Sequence, residues 1–206
     1  MHSDVLSQRL KKEYDSIFAS RKRIEKANVT NNVYIADKDL NLFYDGMFLK
    51  SVTLFESFVE EFFIGLLYDK YKLTTRKKIQ KQIFKDRKLV LNYLLNGKPF
   101  LDLLPLYKLE RNTKVFYKND NPFSNIPPAS KDILNHIFII RNAIAHSSVS
   151  SDTKFKRFIE DNHNTLPINQ RTPSKFLQSL RTANQTMFET YVIELNFLAQ
   201  TMTRFS

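Results

Sequence analysis

The 206-residue sequence contains no cysteine. Disulfide bonds, thiolate nucleophiles and cysteine metal ligands are therefore excluded. Tryptophan is absent as well, and glycine occurs only at positions 46, 65 and 97. Glycines that far apart build no phosphate-cradling loop, so the chain has neither a Walker loop nor a dinucleotide-binding fingerprint. Such scarcity also disfavours a fold rich in tight hairpins. No apolar run approaches the roughly 18 residues of a membrane-spanning helix. The stretch Met1 to Lys12 is polar and lacks the apolar segment of a signal peptide. These absences lead us to expect a soluble, cytoplasmic protein.

Aromatic residues are abundant instead, with 18 Phe and 9 Tyr, and 32 basic residues outnumber 21 acidic ones for a net charge of +11. The length fits one domain with a sizeable core. Few glycines beside much leucine, phenylalanine and lysine favour helices. We therefore expect an all-α fold, a bundle of four to five main helices with one long irregular loop, in a single domain over residues 1–206. The positive charge suits a polyanion such as RNA, DNA or an acidic membrane surface, without choosing among them.

Along the chain, Val5, Leu6, Leu10, Tyr14, Ile17, Phe18 and Ile24 recur at three- and four-residue steps, which predicts a helix over 4–27 capped by Ser3. A wider apolar stripe over 39–71 predicts one long helix, or two with a bend near Gly46. Glu56, Glu60 and Glu61 beside it read as solvated carboxylates. Residues 73–96 read as another helix, closed by Gly97-Lys98-Pro99. Residues 97–129 read as the irregular loop, with a short helix over 101–107 and a short strand from Lys114 to Tyr117. Ser130 is expected to cap a helix over 130–147, residues 153–161 to add one or two turns, and Ser174 to cap a last helix reaching 203.

Nine basic residues and a single acid, Asp86, lie from Lys70 to Lys88. On a helix, Lys77, Lys78, Lys81, Lys85, Arg87 and Lys88 make a face that binds phosphate backbones by counterion release. A solvated helix surface is an equal reading of the same residues. Asp86-Arg87-Lys88 has the acid-x-lysine form of some metal nucleases, but those sites sit on strands and this stretch reads as helix. The four histidines, at 2, 136, 146 and 163, show no His-x-x-x-His spacing. We expect no metal and no other cofactor.

Chemistry is concentrated in Arg141-Asn142-Ala143-Ile144-Ala145-His146, which follows the apolar run Ile133–Ile140. Eleven arginines and four histidines make a bare pair at this spacing a weak signal. The context adds to it: an amide directly after the arginine, small apolar residues between, and a buried helix leading in. An imidazole titrates near neutral pH and can take the 2′-hydroxyl proton of RNA or protonate the leaving 5′-oxygen. A guanidinium can hold the phosphate and offset charge developing on its oxygens. Asn142 and His146 share a helix face, whereas Arg141 lies about 140° round from His146 and must reach. The bland reading is that Arg and His near a helix C-terminus stabilise it, by about 0.3–1 kcal/mol. His136, among apolar residues, reads as a core or interface histidine, and His2 and His163 as surface residues.

The six-residue stretch 141–146 resembles the Arg-x4-6-His signature of the HEPN superfamily, small α-helical domains in which a polar residue, often Asn, follows the arginine. Leu54 to Phe63 is similar to the long helix of family members from RNA-processing, stress and defence operons. The resemblance spans roughly residues 40–200. It implies a helical HEPN-like domain whose active members are metal-independent endoribonucleases, leaving a 2′,3′-cyclic phosphate and a 5′-hydroxyl. It further implies catalytic roles for Arg141 and His146, a supporting role for Asn142, and a homodimer with a composite active site. A stress, toxin or anti-phage defence setting, with an antitoxin or defence-system partner, would follow. Some members have lost catalysis, so a catalytically silent RNA-binding or dimerisation module is the alternative. RNA is the expected ligand in either case, with no membrane partner.

Overall fold

The apolar stripes fold as helices, eight among the described residues. The computed structural model of the protein describes residues 1–28, 35–73, 79–95, 101, 103–118, 120–146 and 148–205, and residues 29 and 30 by backbone alone. The helices are α1 (Asp4–Thr30), α2 (Asp37–Leu67), α3 (Arg87–Leu95), α4 (Leu106–Phe116), α5 (Pro128–Ala145), α6 (Val149–Asn162), α7 (Pro173–Gln178) and α8 (Met187–Thr203). A small antiparallel hairpin, β1 (Leu180–Thr182) and β2 (Gln185–Thr186), sits between the last two. The all-α class expected from the sequence therefore holds. No described helix is long and apolar enough to cross a membrane.

The chain divides into two compact units. Unit 1 comprises Met1–Lys11, Leu54–Leu134 and Leu195–Ser206. Its core is aromatic: the Phe63 ring lies 5.2 Å from Tyr117 and 5.3 Å from Phe123, and Phe62 lies 5.5 Å from Phe123. The buried Tyr117 hydroxyl donates to Phe63 O at 2.8 Å, so burial of that ring leaves no unpaired hydroxyl. The ends of α1 and α8 are tied by Ser3 Oγ, which donates to Thr203 O at 2.8 Å. Ser3 thus stands at the expected cap position but spends its hydroxyl on the other helix. At Gly65 the Tyr71 ring approaches so closely that an added Cβ would meet it at 2.3 Å. Here a side chain is sterically refused.

Four departures from the sequence-based expectation fall in unit 1. The long helix ends at Leu67 rather than 71, because Asp69 adopts a left-handed φ of 58° and Lys70 N closes on Gly65 O at 2.9 Å. Among the described residues of 73–96, where a helix was expected, only α3 is helical. Asp86 caps it through Leu89 N at 3.0 Å, and Ile79–Phe84 before it is extended. Long-range bonds hold that run out of helix: Gln82 N to Phe116 O and Lys118 N to Gln80 O at 2.8 Å, and Phe84 N to Leu67 O at 2.9 Å. The supposed loop contains α4, whose buried Leu106, Leu109, Thr113 and Phe116 keep helical spacing. It covers Lys114 to Phe116, expected as strand, and the helix expected over 101–107 begins only at Leu106. Finally, α5 starts at Pro128, which puts Ser130 inside the first turn instead of at the cap. Gly97-Lys98-Pro99, the expected stop of the third helix, lies outside the described residues.

Unit 2 comprises Lys12–Thr53 and Asn135–Glu194. The single last helix expected from Ser174 is broken here. Thr172 caps α7 through Lys175 N, with Pro173 at its first position; the hairpin follows, and α8 starts afresh. A capping box makes that start: Glu189 N donates to Thr186 Oγ1 at 3.2 Å, and Thr186 N to Glu189 Oε2 at 2.9 Å. The one or two turns expected at 153–161 are a full helix, α6, capped by Ser148.

Arg21 is the charge at the centre of unit 2, only 5% exposed. Its Nη2 donates to Glu189, and its Nη1 donates to Glu25 at 3.1 Å and to Tyr44 and Thr186 at 3.4 Å. The Tyr44 hydroxyl donates to Glu25 in turn, and burial pushes that phenol well above its ordinary pKa. A cation so deep is tolerable only with such partners. Arg21→Met is expected to cost about 3–5 kcal/mol by stranding the carboxylates, measured by urea unfolding. Adding Glu25→Gln and Glu189→Gln to it recovers part of that loss.

Candidate active site

Helix α5 carries the motif because its other face is occupied. Leu134, Ile137, Phe138 and Ile140 are buried, which leaves Asn142 and His146 exposed and Arg141 half-buried. The helix ends at Ala145, and His146 N closes the last turn on Asn142 O at 3.0 Å. The long Arg141 side chain does reach round. Its Nη1 lies 3.1 Å from Asn142 Oδ1 and 3.3 Å from His146 Nε2. A guanidinium can only donate, so the contact with His146 is a hydrogen bond when Nε2 carries its lone pair and the proton is on Nδ1. In that tautomer the lone pair of Nε2 faces the cation.

Two serines fix the corner that follows. Ser148 Oγ accepts from Ser151 N at 3.2 Å and lies 2.8 Å from Ser151 Oγ, while Ser151 Oγ donates to His146 O at 2.6 Å. A carbonyl left orphaned past a helix end is thus satisfied by the cap of the next helix. Ser151 is buried and acts on His146 through its backbone. Sequence reasoning passed over it, although Ser148 and Ser151 three residues apart between two helices are a capping signal.

Of the four described residues of the predicted basic face, Arg87 and Lys88 lie on α3 and Lys81 and Lys85 precede it. Lys77 and Lys78 lie outside the described residues. Lys81 sits on the extended run, and its ammonium is spent on Asp69 and Leu66 O. Arg87 donates to Glu61 at 2.6 Å. Lys85 and Lys88 are exposed. Glu61, expected as a solvated carboxylate, is the centre of an ion cluster that also takes Lys70 at 2.5 Å and the Tyr71 hydroxyl at 2.9 Å. Burial pushes its pKa up, but the hydrogen bonds from Lys70, Tyr71 and Arg87 outweigh burial and hold it below the usual range.

Two further histidines, His136 and His163, pack against aromatic rings. His136 is half-buried, with its ring 4.8 Å from Phe158. His163, expected at the surface, is packed between Phe158 at 5.3 Å and Phe176 at 4.8 Å. Burial lowers its pKa, with His136 and Arg181 adding to the effect. Among the described residues no three or more His, Asp or Glu side chains converge as metal ligands would. No protein-family model, curated protein or solved structure matches this chain.

Two outcomes are expected. Ser151→Ala costs about 1 kcal/mol of stability and shifts the His146 imidazole resonances in NMR spectra, because it unties the corner. The second concerns pH. The unfolded chain protonates His163 near its ordinary value of 6.5, whereas the folded chain resists until lower pH. The His163 contribution to stability is therefore complete above that value and is lost as pH falls below it. Thermal unfolding followed from neutral to acid pH is expected to lose this component in His163→Phe.

Proposed function

We propose that the chain is a metal-independent endoribonuclease that cleaves RNA by attack of its own 2′-hydroxyl, with Arg141, Asn142 and His146 as the reacting cluster. The observation that carries this reading is the Arg141 guanidinium within hydrogen-bonding distance of both Asn142 Oδ1 and His146 Nε2 at an exposed helix end. The resemblance of residues 141–146 to the HEPN signature supports it independently of that geometry.

In the proposed reaction, His146 Nε2 takes the proton of a ribose 2′-hydroxyl. The 2′-oxygen then bonds to the adjacent phosphorus, and the bond from phosphorus to the 5′-oxygen breaks. The products are a 2′,3′-cyclic phosphate and a 5′-hydroxyl. Arg141 turns from the imidazole to the phosphate and offsets the charge growing on its oxygens. Asn142 holds the guanidinium near the imidazole before substrate arrives. The leaving 5′-oxygen needs a proton while His146 is accepting one. A second chain related by a two-fold axis supplies another His146, which in its protonated form gives its proton to the 5′-oxygen, so we propose a homodimer with a composite site. A stress, toxin or defence role, governed by a partner protein, is the setting that fits such an activity.

The decisive test is cleavage of mixed RNA in EDTA. Wild-type protein is expected to cleave and to leave cyclic-phosphate ends, with His146→Ala and Arg141→Ala each slower by about 10²–10⁴-fold. Undiminished cleavage by both variants sinks the assignment. Binding without cleavage by the wild-type chain moves the reading to a catalytically silent RNA-binding module.

A further inference from the structure

The extended run Ile79–Phe84 and the end of α4 enclose a cleft within unit 1 that the motif does not use. Two 2.8 Å hydrogen bonds and an antiparallel bridge between Lys81 and Tyr117 fasten the run beside the chain leaving α4. The cleft measures about 620 Å³. Gln80, Gln82, Lys114, Val115 and Lys118 form its exposed rim, and among the described residues no acidic side chain lines it. Glu110 and Asp120 line an adjoining hollow that Lys114 and Lys118 also border, and there Glu110 is held by Lys131 at 2.7 Å.

The cations here differ in kind. Lys81 is consumed by Asp69 and Leu66 O, so it anchors the wall. Lys114 and Lys118 are exposed, and among the described residues neither has a carboxylate partner. From the cleft floor, Phe116 contacts Phe84 at 6.0 Å, and Phe84 contacts Tyr93 at 5.4 Å. That chain of rings ends at a Tyr93 side chain left 68% exposed. Exposed lysines beside side-chain amides, with an open aromatic ring two ring contacts away from Phe116, are elements that hold a single strand through phosphate contacts and base stacking.

We propose that this cleft binds single-stranded nucleic acid, with phosphates on Lys114 and Lys118, base edges at Gln80 and Gln82, and a base stacked on Tyr93. An acidic protein would use the lysines but gain little from the ring, which is why the nucleic acid is favoured. The proposal is independent of the cleavage reading, because it is tested on a strand that cannot be cleaved.

The experiment measures binding of the full chain to a labelled, fully 2′-O-methylated single-stranded RNA across a salt series. Such a probe has no 2′-hydroxyl to be deprotonated. Wild-type affinity is expected to fall as salt rises, and Lys114→Gln and Lys118→Gln each to flatten the log–log slope by about 0.7. Tyr93→Ala is expected to weaken binding about tenfold. Unaltered affinity and slope in the Lys114→Gln/Lys118→Gln double variant overturns the proposal. Polyglutamate binding as tightly as the strand overturns it in favour of an acidic protein partner, and equal affinity for duplex RNA overturns the single-strand assignment.

Discussion

A buried guanidinium is the constraint on which unit 2 depends. Arg21 cannot sit at 5% exposure without anions, and they come from two separate helices, Glu25 on α1 and Glu189 at the start of α8. Glu189 does a second job with its other oxygen, closing the capping box on Thr186. One carboxylate therefore both neutralises the cation and fixes where α8 begins. That is why the hairpin before α8 has no freedom to be absorbed into a longer helix. Tyr44 extends the arrangement to α2 by bonding to Glu25 and Arg21 together.

The candidate site has the opposite character. Its three polar side chains lie at or beyond the last turn of α5, partly or fully in solvent, and their alignment rests on local contacts. Beyond the helix, Ser151 holds the His146 carbonyl. The helix end is exposed, while the His146 carbonyl is held by a side chain of the next helix.

Legibility in the sequence followed the range of the interactions involved. Long helices were readable because their apolar residues repeat every three or four positions, and Arg141, Asn142 and His146 were readable because one helical turn suffices to bring them together. The run Ile79–Phe84 was not, since its geometry is decided by hydrogen bonds to residues 116–118, more than thirty positions away. Periodicity there was overruled by tertiary pairing. The cleft with Lys114 and Lys118 arises from that same pairing and was hidden for the same reason. Other misses did have local signals. Thr186-Met187-Phe188-Glu189 spells a capping box, and Leu106, Leu109, Thr113 and Phe116 spell an amphipathic turn sequence. The end of α2 rested on Asp69 in a left-handed conformation, which nothing in the neighbouring residues announces.

The Tyr71 ring occupies the space that a side chain at position 65 would need, and this binds the two positions together as the sequence diverges. Inside a helix, alanine is ordinarily favoured over glycine. With tyrosine at 71 that preference is reversed by the clash, and with a small residue at 71 it is restored. The same substitution at 65 therefore changes sign with the occupant of 71. Tyr71 is not free to shrink alone either, because its hydroxyl helps Lys70 and Arg87 hold Glu61. The effects of substituting the two positions are therefore coupled rather than additive.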